Sequence, residues 1–279
     1  MVGLGLIGGS IARTLKKFTD WEIIGFDNNE LTLSEALKTN AVDSIWDGTS
    51  EADADITVLC TSPETAVAFL NEKAGLLKPG SVVTDVCGVK QFMVNECEKI
   101  CRDNKLLFIG GHPMAGKERS GFKNSDENLF NRASYILTPT DNTDPKALDI
   151  AKQYVEALHC AKLTVTDPKT HDRMIAFTSQ LPHIIAGAYV KSPSVNDRKG
   201  FSAGSFKDVS RVATVDENLW TELFLKNSEM LLSEIDGLIE HLADYRNSIA
   251  QNDAVHLKEI IKQGRIIKEN DLKESDERK

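Results

Sequence analysis

The chain has 279 residues, 41% hydrophobic and 27% charged, which is enough for a large core and for two domains. Its net charge of −9 argues against nucleic acid as a main partner, because phosphate backbones demand a basic face. No apolar run approaches the roughly 18–20 residues of a membrane span, and Met1 leads into a glycine-rich turn rather than a signal peptide.

Val2 to Ser10 reads VGLGLIGGS, in which Gly3, Gly5 and Gly8 form G-x-G-x-x-G. Ile11, Ala12 and Leu15 continue as one face of a helix. The first glycine permits a tight turn, the second lets a pyrophosphate approach, and the third lets helix and strand pack. The helix N-terminus offers free N–H groups to the phosphate. Glu22 to Phe26 is a short strand, and Asp27 ends it where an acidic side chain can accept the ribose hydroxyls and repel a 2′-phosphate. NAD is therefore favoured over NADP. The strand before the turn is nearly missing, which suggests residues lost from the N-terminus.

The alternation continues along the chain. Residues 31–39, 66–74, 90–104 and 145–158 read as helices, and 55–60, 81–86, 106–109, 134–138 and 162–165 as strands. Strands alternating with helices predict a parallel, doubly wound α/β sheet. Cys97 and Cys101 lie one helical turn apart, but no histidine or further cysteine nearby completes a metal set, so no metal is expected. With Cys60, Cys87 and Cys160 the thiols number five, an odd count without framework spacing, which predicts reduced cysteines and a cytoplasmic protein.

Phe108 to Gly121 reads FIGGHPMAGKERSG and is expected to be a glycine-rich loop at a strand's carboxyl end, where open α/β sheets bind ligands. His112 is its one side chain able to take up a proton near neutral pH without a large shift. A plain turn with a solvated histidine would read the same way.

Beyond Asp167-Pro168 only helical periodicity is found: 170–190, 216–249 and 254–267, with a charged, frayed tail at 268–279. The division is into residues 1–167 and 168–279. Pro182 is expected to weaken or kink the first of these helices. The longest carries more apolar surface than a small domain hides, so part of it is expected to form a homodimer face. His112, Lys117, Arg119, His183, Lys207 and Arg211 could form one cationic pocket for an anionic substrate, since a guanidinium binds both oxygens of a carboxylate. Lys117 and Lys207 read equally well as solvated.

The ordered motifs GLGLIGGS, GFD, TDVCGVK, GGHPMAGKERSG, HDRMIAFTSQLPH and FKDVSRVA followed by Trp220 resemble the prephenate and arogenate dehydrogenases of tyrosine biosynthesis. The resemblance implies an N-terminal Rossmann dinucleotide-binding domain, an all-helical C-terminal dimerisation domain, and oxidative decarboxylation of prephenate to 4-hydroxyphenylpyruvate with NAD. Arogenate as substrate, or a β-hydroxyacid-type dehydrogenase of similar build, are the alternatives. By that resemblance His112 accepts the ring hydroxyl's proton, and Arg211 binds a substrate carboxylate. His183, Glu118, Gly88, Gly204 and Trp220 line the substrate pocket, Gly88 standing where many relatives have serine. The dinucleotide site is expected at Gly3, Gly5, Leu6, Ile7, Gly8 and Asp27, with Thr61, Ser62 and Asp85 at the ends of the next two strands.

Overall fold

A computed structural model describes residues 1–117, 119–201 and 204–277. By contacts the chain divides into a compact unit from Met1 to Ser228 and a second from Glu229 to Lys279.

In the first unit the strands are β1 (Ile24–Gly25), β2 (Ser44–Ile45), β3 (Ile56–Leu59), β4 (Val82–Asp85), β5 (Leu107–Pro113), β6 (Ser134–Thr138) and β7 (Lys162–Val165). Helix α1 (Leu6–Phe18) precedes them, and between them run α2 (Glu30–Lys38), α3 (Pro63–Lys73), α4 (Gln91–Asp103) and α5 (Pro145–Ala157). β1 pairs with β2, and β3 to β7 lie side by side in chain order. Val2 bridges both Phe26 and Leu59 and so joins the two sheets; this single residue is all that stands for the strand before the glycine turn. Burial on both faces explains the continuous apolar strands. Val58, Val82 and Ile109 face one core with Leu4, Ile11, Leu15 and Tyr154. Leu59, Val83 and Phe108 face the other with Phe69, Met93 and Val94.

The sheet is mixed rather than wholly parallel, because β5 pairs antiparallel with β6. Parallel pairing of β5 with β4 ends at Ile109, and antiparallel pairing with β6 runs from Gly110 to Pro113. The segment expected to be a loop is therefore strand as far as Pro113, and His112 sits within it. The glycines there serve close packing rather than turning. A Cβ on Gly110 would lie 2.4 Å from Thr138 Oγ1, and one on Gly111 would lie 2.7 Å from the Asp85 carbonyl oxygen.

The rest of the first unit is helical: α6 (Pro168–Ile175), a π turn at Ala176–Gln180, α7 (Leu181–Tyr189), α8 (Gly204–Ser210) and α9 (Glu217–Lys226). Pro182 supplies no N–H for the carbonyl four residues back, and the helix accommodates it through the π turn just before it. The helix expected over 216–249 is interrupted at Asn227 (φ −118°, ψ 26°). The Asn227 side chain turns inward to donate to the Asp172 carbonyl at 2.9 Å and to Gln180 Oε1 at 2.7 Å.

The second unit consists of α10 (Ser228–Ala250, beginning at the boundary) and α11 (Ala254–Glu277). Asp253 caps α11 through the N–H groups of Val255 and His256, and α11 continues beyond Ile267 through the tail that was expected to fray. Leu232, Ile239, Leu242, Ile249, Val255 and Ile267 are exposed on these helices.

Candidate active site

The glycine turn has the form a dinucleotide needs. Gly3 has φ +88°, and a Cβ on Gly8 would lie 2.0 Å from the Gly3 carbonyl oxygen, so neither position tolerates another residue. Gly5, by contrast, faces open space. It is also the N-cap of α1, with no side chain capping the helix and no acid in its first turn, leaving the N–H groups at Leu6 and Ile7 for an anion. Asp27 accepts the Leu4 N–H at 2.7 Å and the Asn29 N–H at 2.9 Å, which fixes its carboxylate beside the turn. Thr61 and Ser62 are partly exposed just past β3. The Thr61 carbonyl accepts from Cys87 Sγ at 3.5 Å.

Asp85 does not face this space. Its side chain is fully buried and paired with the equally buried Lys90 ammonium. It also accepts the N–H groups of Cys87 at 2.9 Å and Gly111 at 3.1 Å. Lys90 donates a further bond to the Gly111 carbonyl at 2.7 Å. The pair thus clamps the strand end that carries His112.

His112 is partly exposed. Its Nδ1 lies 2.9 Å from Nε2 of His171, and Nδ1 of His171 lies 2.7 Å from Asp172 Oδ1. Asp172 Oδ1 and Oδ2 accept the N–H groups of Lys90 at 2.7 Å and Gln91 at 2.8 Å, at the start of α4. Removal from water holds the His112 imidazole well below its usual pKa, with further depression from His171 and Lys90. Burial likewise lowers His171, against the opposing effect of Asp172. His112 is therefore a neutral, proton-accepting imidazole at neutral pH.

The helical segment reaches this imidazole through α9. A Cβ on Gly88 would sit 3.6 Å from Leu223 and 3.8 Å from His112 Cε1, ordinary contacts that leave room for a side chain. One turn before Leu223, the Trp220 ring lies against His183, tilted by 43° with ring centroids 3.8 Å apart. His183 Nδ1 donates to the Val212 carbonyl at 2.7 Å. Partial burial lowers the His183 pKa, and the Arg211 guanidinium adds to the effect. His112 and Leu223 thus both lie against Gly88, while Trp220, one turn before Leu223, lies against His183, which feels the charge of Arg211.

Other expected members make contacts of their own. Lys117 pairs with Asp126 at 3.0 Å. With Arg119, Lys123 and Ser125 it lines a cavity of about 510 Å³. Lys207 and Gly204 are exposed on α8. Glu118 lies outside the described residues. Lys90, His171 and Asp172 were not singled out from the sequence. The His-Asp pair one turn into α6, inside HDRMIAFTSQLPH, was the available signal, but its partners lie some 60 to 80 residues earlier.

A glycine-cradled helix N-terminus on the sheet that carries a neutral strand-end imidazole defines a dinucleotide-dependent oxidoreductase. Comparison narrows the class. The family model described as the nucleotide-binding domain of prephenate dehydrogenase matches residues 11–164, and that of its dimerisation domain matches residues 167–263. A prephenate dehydrogenase of Lactococcus lactis subsp. cremoris is 32% identical over 96% of this chain and 76% of its own length. The crystal structure of prephenate dehydrogenase from A. aeolicus in complex with hydroxyphenyl propionate and NAD+ is 31% identical, covers 96% of each chain and has a TM-score of 0.85. Synechocystis arogenate dehydrogenase is 29% identical, covers 96% of this chain and 98% of its own, and has a TM-score of 0.79. The chain belongs to the prephenate dehydrogenase family.

Proposed function

We propose that this protein oxidises prephenate to 4-hydroxyphenylpyruvate, with loss of carbon dioxide, using NAD. The observation that carries the reading is the His112 imidazole, tied inward through Nδ1 and leaving Nε2 for substrate beside Gly88 and Leu223. When bound, NAD supplies the hydride acceptor. The turn Gly3–Gly8 and the N-terminus of α1 hold its pyrophosphate, Asp27 its ribose, and Thr61 and Ser62 border it. Asp85 acts indirectly, as the anchor of the strand end.

His112 Nε2 takes the proton of the ring hydroxyl as the carbinol carbon is oxidised. The resulting carbonyl withdraws electrons from the bond to the ring carboxylate, and aromatisation makes the loss of carbon dioxide irreversible. Arg211 binds a substrate carboxylate through its planar fork, Trp220 and His183 wall the ring, and Gly88 leaves space at the hydroxyl. Gly204 and Glu118 are assigned to substrate binding on the family motifs they match. We place the domain division at 167/168, the homodimer face on the exposed apolar side chains of α10 and α11, and the protein in the cytoplasm, a location its five free thiols support.

Arogenate is a second reading, favoured by the likeness to the Synechocystis enzyme; it carries an ammonium where prephenate has a keto oxygen. NADH formation with each substrate separates the two. His112→Asn is expected to bind NAD normally and to lose roughly 10²–10⁴-fold in kcat. Arg211→Ala is expected to raise KM for prephenate at least tenfold, about 1.4 kcal/mol, with a smaller effect on kcat. Unchanged turnover in the first, or an unchanged KM in the second, would remove that residue from the site.

A further inference from the structure

We propose that His171 and Asp172 are positioning residues that hold His112 in the tautomer with its proton on Nδ1, and that His171 shares the proton His112 receives. The proposal rests on the reading of His112 as the base.

The hydrogen bonds leave each ring nitrogen one protonation state. Both carboxylate oxygens of Asp172 already accept backbone N–H groups, Lys90 on Oδ1 and Gln91 on Oδ2. The 2.7 Å contact from His171 Nδ1 to Oδ1 therefore carries its proton on the nitrogen. A neutral imidazole has one N–H and one lone pair, so His171 Nε2 is an acceptor. Its 2.9 Å contact with His112 Nδ1 then requires the proton on His112, and His112 Nε2 is left with the lone pair. A doubly protonated His171 would reverse this polarity and place the proton on His112 Nε2, where it would block the base. Burial and the Lys90 ammonium both oppose that state. Among the described residues, few charged groups act on the pair. The start of α4 presents Lys90, neutralised by Asp85 from β4, and α6 presents Asp172. α9 presents the apolar Leu223. Burial raises the Cys87 thiol well above its usual pKa, so it stays uncharged.

Proton movement follows the same line. The substrate O–H bond breaks as the bond from the proton to His112 Nε2 forms. The Nδ1 proton of His112 moves to His171 Nε2, leaving His112 neutral with its proton on Nε2. The positive charge then rests on His171, whose Nδ1–H faces the Asp172 carboxylate. A charge that would otherwise sit on a ring without a counter-charge is passed to one whose Nδ1–H faces a carboxylate.

The test combines variants with imidazole ¹⁵N NMR of the substrate-free wild-type protein. The NMR is expected to show protonated Nδ1 and bare Nε2 on both His112 and His171 at neutral pH. His171→Leu removes the acceptor and is expected to lower kcat by about 10²-fold, with KM and NAD affinity changed less than threefold and the acid limb of the pH profile moved to lower pH. His171→Gln, whose Oε1 can take the place of Nε2, should recover most of that loss. Asp172→Asn should cost more, towards the roughly 10⁴-fold seen when a catalytic imidazole is held in the wrong tautomer. Protonated Nε2 on His112, an unchanged kcat in His171→Leu, or a glutamine variant as weak as the leucine variant would each overturn the proposal. If the wild type turned over neither prephenate nor arogenate, the functional reading would fail, while the nitrogen shifts would still decide the tautomer.

Discussion

Replacing Lys90 by methionine tests the clamp beneath the base. The change keeps most of the aliphatic stem, so packing against β5 is largely preserved, but it removes the ammonium from a pair in which both side chains are fully buried. Asp85 retains the N–H groups of Cys87 and Gly111, while the Gly111 carbonyl loses its donor. Leaving one member of a buried pair without its counter-charge costs about 3–5 kcal/mol. At about 2–4 °C per kcal/mol for a protein of this size, Tm is expected to fall by roughly 6–20 °C. Urea unfolding followed by far-UV circular dichroism, at fixed pH and protein concentration, measures the loss directly. Asp85→Asn combined with Lys90→Met removes both charges, and it should recover at least half of the loss because no uncompensated ion remains. A single variant that loses less than about 1 kcal/mol, or a double variant as unstable as the sum of the two singles, would show that the pair is not what holds this strand end.

Three further outcomes are expected. Gly5→Ala places a methyl group in open space at an ordinary φ of −71°, so Tm should stay put while NAD affinity, measured by calorimetry, falls at least tenfold, about 1.4 kcal/mol; unaltered affinity would take the pyrophosphate away from α1. Because burial holds His112 below its usual pKa, the acid limb of kcat/KM should lie below pH 6.5, and a midpoint at or above that value refutes the environment described. The same lowering links to stability: His112 and His171 are favoured as neutral in the fold, so their contribution is complete above the unfolded pKa near 6.5 and is lost as pH falls below it. Stability should therefore fall between pH 6.5 and 5.5. Urea unfolding at the two pH values checks this, and a flat response contradicts it.

The sequence by itself determined the elements and the chemistry types. Spacing alone marks Gly3, Gly5 and Gly8, because helix start, tight turn and close approach are local demands on the backbone. The alternation of strands with helices announced a doubly wound sheet for a similar reason. His112, His183 and Arg211 stood out as residue types, and the motif order tied them to one family.

Pairing was decided only in three dimensions. Antiparallel addition of β6 turned the GGHP segment from a loop into strand, since backbone hydrogen bonds to a distant strand outweigh the local turn preference of glycine. Asp85 looked like a cofactor ligand by its place at a strand end, yet Lys90, five residues on, draws its carboxylate into the interior. Asn227 broke a helix that periodicity would have continued, because its side chain is needed between Asp172 and Gln180. The His112–His171–Asp172 line has members 59 residues apart and then adjacent, a separation with no period to read. Burial is what selects such a line: once water is excluded, each polar hydrogen must find a partner, and only the folded chain brings that partner within reach.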